Sequence, residues 1–529
     1  MEENRKGFSG FLTCCAFILA FLPALFIAAR SLMITAVLDP DRYREEHILY
    51  NNDNILLSIA VTLLAVAAFV FLMRSRTAGR INVTLFGIFT VAAVTALSSW
   101  WVLSAGSIPE TDTGKVTSAA ADALLGNYDW LTERTSYFRT YKYQLGYVFM
   151  QELMQSVMGS NNYGLLGLFN SLALGAAYTA VILISGRIFN NRRMVLATEI
   201  LLLFCLQPAF FATFLYGNMI GFAFSSWAVL FMIRFLKGER YSFIPAALFT
   251  GLAVMAKPNY WICAIALMIT GMLFTLRQKR LREIVICAAA SVLMIASPLV
   301  IMSAVELYYE KKSGSEIQDS LPLSAWLAMG LSESDRAPGW YSHYLGTVLR
   351  DNDYDMESIG EDSVIDVEER IGTFSNDIGY AGDFFLKKLD SQWQETSYES
   401  IWVSRVKKHE HDLSSMARDI YEGKTGKVLI WYFDIYAEFI YCCFTAGLIM
   451  VILRRTKKAG ESYEFTDLGA LIFPLIFLGA FIYHSLFEAK SQYLFQYVPM
   501  MVPAAAYFLS GITVGKREKS NKSPIETCE

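Results

Sequence analysis

Two carboxylates two residues apart, Glu110 and Asp112 in P-E-T-D, stand out in this chain as groups able to take a proton. They follow a long apolar run and sit close to Lys115, Asp129, Glu133, Arg134, Arg139 and Lys142. A carboxylate held beside a substrate hydroxyl acts as a general base, and nearby cations neutralise a leaving group such as phosphate. The stretch after Asp112, T-G-K-V-T-S-A-A-A-D-A-L-L, keeps helical spacing at Val116, Ala119, Ala120, Ala123 and Leu124, and Gly126 supplies a stop. It predicts a short amphipathic helix on a membrane surface with Asp112 at its mouth. An Asp there also makes a good N-cap, so position alone does not separate the two roles.

The elements that must position these groups are membrane spans. The chain has 529 residues, 54% hydrophobic and 18% charged, with apolar runs near the ~20 residues that cross a bilayer. The net charge of −4 decides little, and the basic residues form short clusters between apolar runs rather than one face, which argues against a nucleic-acid partner. Oriented by Lys and Arg in short loops, the runs give an all-α polytopic fold of about twelve transmembrane helices with both termini in the cytoplasm. The first run, Phe11 to Val37, is too long for a signal-peptide core and reads as a retained span. The loop from Leu38 to Asp53 mixes signs. Residues 143–158, interrupted by Gln144, Gln151, Glu152 and Gln155, read as a second surface-lying helix. Making them a span would place every later basic cluster outside.

This reading divides the chain into an N-terminal helix pair (1–81), a transmembrane core (82–310) with its outer loop 106–142, a mainly helical outer domain (311–427), C-terminal spans (428–513) and a basic tail (514–529). Seven of the eight cysteines lie in predicted spans and Cys528 in the tail, so no disulfide framework is expected. In the outer domain D-N-D-Y-D at Asp351 to Asp355 reads as a solvated acidic face, and His409 and His411 as surface residues. No metal or other cofactor site is evident.

With that topology the Asp112 loop, the Lys257-Pro258-Asn259 break, the outer domain and the turn from His484 to Tyr493 share one side of the membrane. Lys257, Glu488 and Lys490 sit at span ends among apolar residues, where ionisable groups are costly and often functional. Snorkelling at the interface is the plainer alternative. Carboxylates and cations at bilayer level suit an amphiphile with a phosphate head group and an apolar tail.

At these residues the chain resembles the GT-C superfamily, the integral-membrane glycosyltransferases that include protein O-mannosyltransferases and lipid A aminoarabinose transferases. P-E-T-D at Pro109 to Asp112 is similar to their catalytic loop, G-L-A-V-M-A-K-P-N at Gly251 to Asn259 to a short span pair, and F-E-A-K-S-Q-Y-L-F-Q-Y-V-P at Phe487 to Pro499 to the turn before the last span. M-G-L at Met329 to Leu331, A-P-G-W-Y at Ala337 to Tyr341 and F-F-L-K-K-L-D-S-Q-W at Phe384 to Trp393 resemble a bacterial branch. The chain departs in carrying T-D where members often have paired acids, and Tyr141-Lys142-Tyr143 where they usually have a Pro element.

The resemblance implies an enzyme of the bacterial cytoplasmic membrane with an extracytoplasmic active site. A polyprenyl-phosphate sugar is the expected donor, and a cell-envelope polymer, lipid or protein the acceptor. Transfer would be one inverting displacement with Asp112 as base and Glu110 as the alternate. Lys115, Arg139, Lys142, Lys257 and Lys490 are the candidate cations, with Glu488 and Tyr137 beside them. Tyr137, Phe138, Tyr141, Tyr143 and Tyr147 either stack on a sugar or pack at the head-group level. A lipid or sugar flippase and a non-catalytic envelope scaffold remain as alternatives.

Overall fold

The computed structural model describes residues 2–133, 135–317, 320–457 and 465–513. Arg134, Lys458, Cys528 and the expected basic tail 514–529 lie outside them. The described chain is overwhelmingly helical. The first helices are α1 (Glu2–Ser31), α2 (Ile55–Arg74), α3 (Val83–Ala105), α4 (Thr111–Leu124), α5 (Leu145–Met158), α6 (Tyr163–Phe189) and α7 (Arg192–Leu203). They are followed by α8 (Asn218–Leu236), α9 (Phe243–Ala256), α10 (Trp261–Thr275) and α11 (Leu281–Ser313). After the outer segment come α12 (Lys424–Lys457), α13 (Phe465–Leu486) and α14 (Tyr497–Thr513).

Asparagine starts many of the apolar helices. Asn54, Asn82 and Asn162 each accept a backbone N–H three residues on, satisfying an amide that the helix cannot. Among the described residues nine helices are long and apolar enough to cross a membrane. Three of the twelve expected spans fall short of that mark. α9 and α14 are shorter apolar helices, and the run 194–214 breaks after Leu203 before resuming as Gln207–Phe211.

Two corrections to the expected architecture follow from tertiary packing. The mixed-sign loop 38–53 belongs to an antiparallel hairpin, β1 (Ile34–Leu38) with β2 (Ile48–Asn52), in register Ala36 opposite Tyr50. Ala36 and Ile48 bury against Ala337, Trp340 and Ala489, so the hairpin is held by distant segments rather than by its own short ladder. The second correction concerns α5, whose interrupting polar residues Gln151, Glu152 and Gln155 are buried in the bundle rather than turned to a surface. Gln155 donates to Thr117 O (3.0 Å), and Glu152 accepts from Tyr308 (2.7 Å) and Tyr309 (2.9 Å) of α11, while Leu153 and Val157 are exposed. The polar residues point inward because the bundle satisfies them, and they share the buried side with Leu145, Tyr147, Val148 and Met150.

The outer segment hangs between α11 and α12, each over thirty residues and so about 50 Å long by helical rise, more than a bilayer core needs. Of the two histidines read as surface residues, His409 Nδ1 lies 2.6 Å from Ala105 O and His411 Nε2 2.9 Å from Leu103 O. They close the carbonyl end of α3, a use that becomes visible only when the outer segment packs there. Asp355, within the acidic run, caps the helix Met356–Asn376 by accepting from Ser358 N at 2.9 Å.

Candidate functional site

At the end of the bundle that carries the outer segment, a cavity of about 750 Å³ is lined from at least six separate parts of the chain. The α3–α4 loop contributes Glu110, the first turns of α4 Asp112 and Lys115, and the aromatic stretch Tyr137, Tyr141 and Tyr143. The break after α9 brings Lys257, the turn after α13 Glu488 and Lys490, and the outer segment Arg336 and Lys407. The hairpin connection adds Arg44 and Glu46. Seven of the nine residues singled out from sequence therefore line one space.

Arg139 and Lys142 do not. Lys142 pairs with Glu306 at 3.1 Å, and Arg139 donates to Tyr354 O at 3.3 Å; neither lines the cavity. The short helix Tyr137–Thr140 turns Tyr137 inward and carries Arg139 around to the other side, because neighbours two apart on a helix face apart.

The two acids have different surroundings. Ser107 bridges His409 as a strand would, Ile108 N donates to Lys408 O (2.8 Å) and Glu410 N to Gly106 O (2.7 Å). This pairing clamps the loop and occupies Glu110, whose carboxylate accepts from Lys408 N at 3.2 Å and faces Lys408 Nζ at 3.6 Å. Glu110, rather than Asp112, holds the cap position of α4, and it makes no side-chain cap bond. Asp112 is displaced from the expected cap because the helix starts two residues early, at Thr111, which takes a positive φ of 54°. For a β-branched residue this is a strained conformation, of the kind that persists where surrounding contacts over-determine it. Lys407 Nζ supplies one, at 3.1 Å from Thr111 Oγ1. Among the described residues Asp112 has no hydrogen-bond or ion-pair partner and is exposed to the cavity.

Lys257 is the complementary group. It is 4% exposed, and its ammonium lies 3.6 Å from the centroid of the Tyr216 ring with no carboxylate in ion-pair contact among the described residues. Burial pushes its pKa down to about 7, opposed by the charges of Asp112 and Glu488. Gly217, at φ 83°, lets α8 begin against this break, since a Cβ there would sit 2.0 Å from Ala256 O. Tyr137 shares a 2.6 Å hydrogen bond with Tyr216, and burial, with Asp112 close by, pushes the Tyr137 phenol up. Lys115 lies 4.7 Å from the centroid of the Tyr137 ring.

Lys490 and Arg336 both pair with Glu46, Lys490 at 2.6 Å. Behind them Ser491 donates to Glu395 at 2.6 Å, and burial pushes the Glu395 and Glu399 carboxyls up. Glu488 accepts from Tyr493 at 2.9 Å; burial raises its carboxyl and Lys490 opposes the rise. Sequence reasoning missed Glu46, Arg336 and Lys407. The signals were present but ambiguous: R-Y-R-E-E in a loop of mixed sign, and Arg336 directly before A-P-G-W-Y. The arrangement offers an unpaired carboxylate, cations at several points and a ring of aromatic walls, which fits a substrate carrying a hydroxyl to deprotonate and an anion to hold. No protein-family model matches the chain, and no curated protein resembles it closely enough to count as a relative.

Proposed function

We propose that this chain is a membrane glycosyltransferase of the GT-C type in a bacterial cytoplasmic membrane. It moves a sugar from a polyprenyl-phosphate donor to a cell-envelope acceptor on the outer face. The observation that carries the reading is the pairing, in one cavity, of the unpartnered Asp112 carboxylate with the buried Lys257 ammonium. The apolar helices around the cavity suit a donor whose tail stays in lipid while its head group enters from the side. The twelve-span count belongs to the same proposal, with α9, α14 and the broken run 194–214 completing the nine longer helices.

In the proposed step the acceptor hydroxyl attacks the anomeric carbon and gives its proton to Asp112. The bond from that carbon to the phosphate oxygen breaks, and the electron pair leaves with the lipid phosphate. Because a phosphate ester leaves as an anion, it needs cations rather than a proton donor. Lys257 is the first candidate by its lack of a carboxylate partner among the described residues, and Lys115 lines the same cavity. Lys490 and Arg336 are already neutralised in part by Glu46. Glu110, tied to Lys408, keeps the loop in place. The aromatic walls at Tyr137 and Tyr141 offer faces for the sugar.

The test is transfer of radiolabelled sugar from a panel of polyprenyl-phosphate sugars, using purified protein in lipid with crude envelope extract as acceptor. Transfer by the wild type and its loss in Asp112→Asn are the expected results. No transfer with any donor, from protein shown to be folded, would overturn the reading in favour of a scaffold or a transporter.

A further inference from the structure

A cleft of about 570 Å³ adjoins the Asp112 cavity, between the hairpin connection and the outer segment. The two spaces share Arg44, Arg336 and Tyr341 in their walls. The sides of the cleft are fastened to each other: Ile48 N donates to Arg336 O at 3.0 Å, and Arg336 pairs with Glu46. Asp112 is near enough for its charge to add to the rise that burial gives the Tyr341 phenol, a rise that Arg336 opposes.

The lining narrows what the cleft can hold. Arg42, Arg44 and Arg336 stand against Glu45, Glu333 and Asp335, and Arg336 also faces Glu46, so the walls carry no excess of cations for a polyanion. The rest of the lining, among the described residues, is serine, tyrosine and histidine, with no aliphatic side chain. An acyl chain therefore finds no apolar wall, and a protein acceptor no apolar pocket for its side chains. Hydroxyl groups fit better, because each both donates and accepts and so meets carboxylate and guanidinium alike. Arg44 and Asp335 make no ion pair or side-chain hydrogen bond among the described residues. Ser342 Oγ is shielded from solvent and also has no partner there, which calls for one. The Tyr341 ring, with the Arg336 guanidinium 5.1 Å from its centroid, adds an aromatic surface for the C–H side of a sugar.

We propose that this cleft is the acceptor subsite and that the acceptor is an uncharged oligosaccharide, the free end of a cell-envelope glycan. Its last sugar passes Tyr341 into the Asp112 cavity, and the sugars behind it lie among Arg44, Asp335 and Ser342. The acceptor role rests on the glycosyltransferase reading; the binding of the oligosaccharide does not.

Binding of the full-length protein in lipid nanodiscs to an array of bacterial oligosaccharides tests it. Neutral, anionic and cationic glycans, Ser/Thr-rich peptides and lipid A are printed together, and no donor is present. Binding confined to neutral oligosaccharides is expected. Asp335→Ala, at an exposed position that lines the cleft and not the Asp112 cavity, should weaken it about tenfold or more, the effect of one lost charge-assisted hydrogen bond. Tyr341→Ala should weaken it as well, while Tyr341→Phe keeps the ring and the binding. In the transfer assay Asp335→Ala should raise the KM for acceptor about tenfold and leave that for donor unchanged. No oligosaccharide bound by the wild type, a preference for charged glycans, peptides or lipid A, or undiminished binding in both alanine variants would each overturn the proposal. The expected binding pattern without transfer from any donor would keep the glycan site and remove the transferase.

Discussion

Lys490 donates a 2.6 Å hydrogen bond to Glu46 across 444 positions of sequence, and Arg336 joins the same carboxylate from the outer segment. All three residues line the Asp112 cavity, so one acid from the hairpin connection ties together the turn before α14, the A-P-G-W-Y segment and the N-terminal helix pair. Glu46 itself takes a positive φ of 58°, a backbone form that the surrounding contacts must hold.

Removing that acid leaves two cations in a largely buried place. Glu46→Ala should destabilise the protein by about 3–5 kcal/mol, the usual effect of stripping one partner from a buried ion pair. Thermal unfolding in detergent checks this, and Glu46→Ala with Lys490→Met should recover part of the loss. Full stability in the single variant would remove Glu46 from its organising role.

Asp112 and Glu110 should separate cleanly. Asp112→Asn is expected to lower the turnover of sugar transfer by about 10²- to 10⁴-fold, the range for losing a general base. Glu110→Gln loses an exposed pair with Lys408, whose side chain is 79% exposed, and should change turnover by less than about threefold. Reversed effects would move the base to Glu110.

The lowered pKa of Lys257 gives a pH dependence. A phosphate needs the charged ammonium, so donor affinity should weaken as pH rises through about 7, read as a climbing KM. Lys257→Arg should carry the affinity unchanged to higher pH. Stability should move the other way. With a folded value near 7 against an ordinary 10.5, the unfolded chain binds more protons between those limits, so the contribution of this residue to stability rises with pH across that window. A KM flat from pH 6 to 9 would place the phosphate elsewhere.

Glu152 anchors α5 to α11 through two tyrosine hydroxyls. Glu152→Ala strands Tyr309, which is fully buried, and should cost about 3 kcal/mol. Hydrogen exchange across residues 145–158 should rise first. Unchanged exchange there would mean that the apolar contacts of α5 suffice.

The sequence by itself determined the helices, their apolar character and which polar groups gather at one end of the bundle. These follow from local runs of residue types and from the placement of Lys and Arg, which need no knowledge of neighbours. Asp112, Lys257 and Lys490 were legible because an ionisable group beside an apolar run is conspicuous. Only the tertiary structure decided which charges meet. It spent Glu110 on Lys408, left Asp112 unpartnered, turned Lys142 to Glu306, and brought Glu46 to Lys490. Short polar segments carry no periodic signal that fixes their path, so the hairpin connection and the outer segment acquired roles only through packing. The same holds for α5, where an interrupted apolar run marked a surface helix, but the partners of its polar residues lay in α4 and α11, far along the chain.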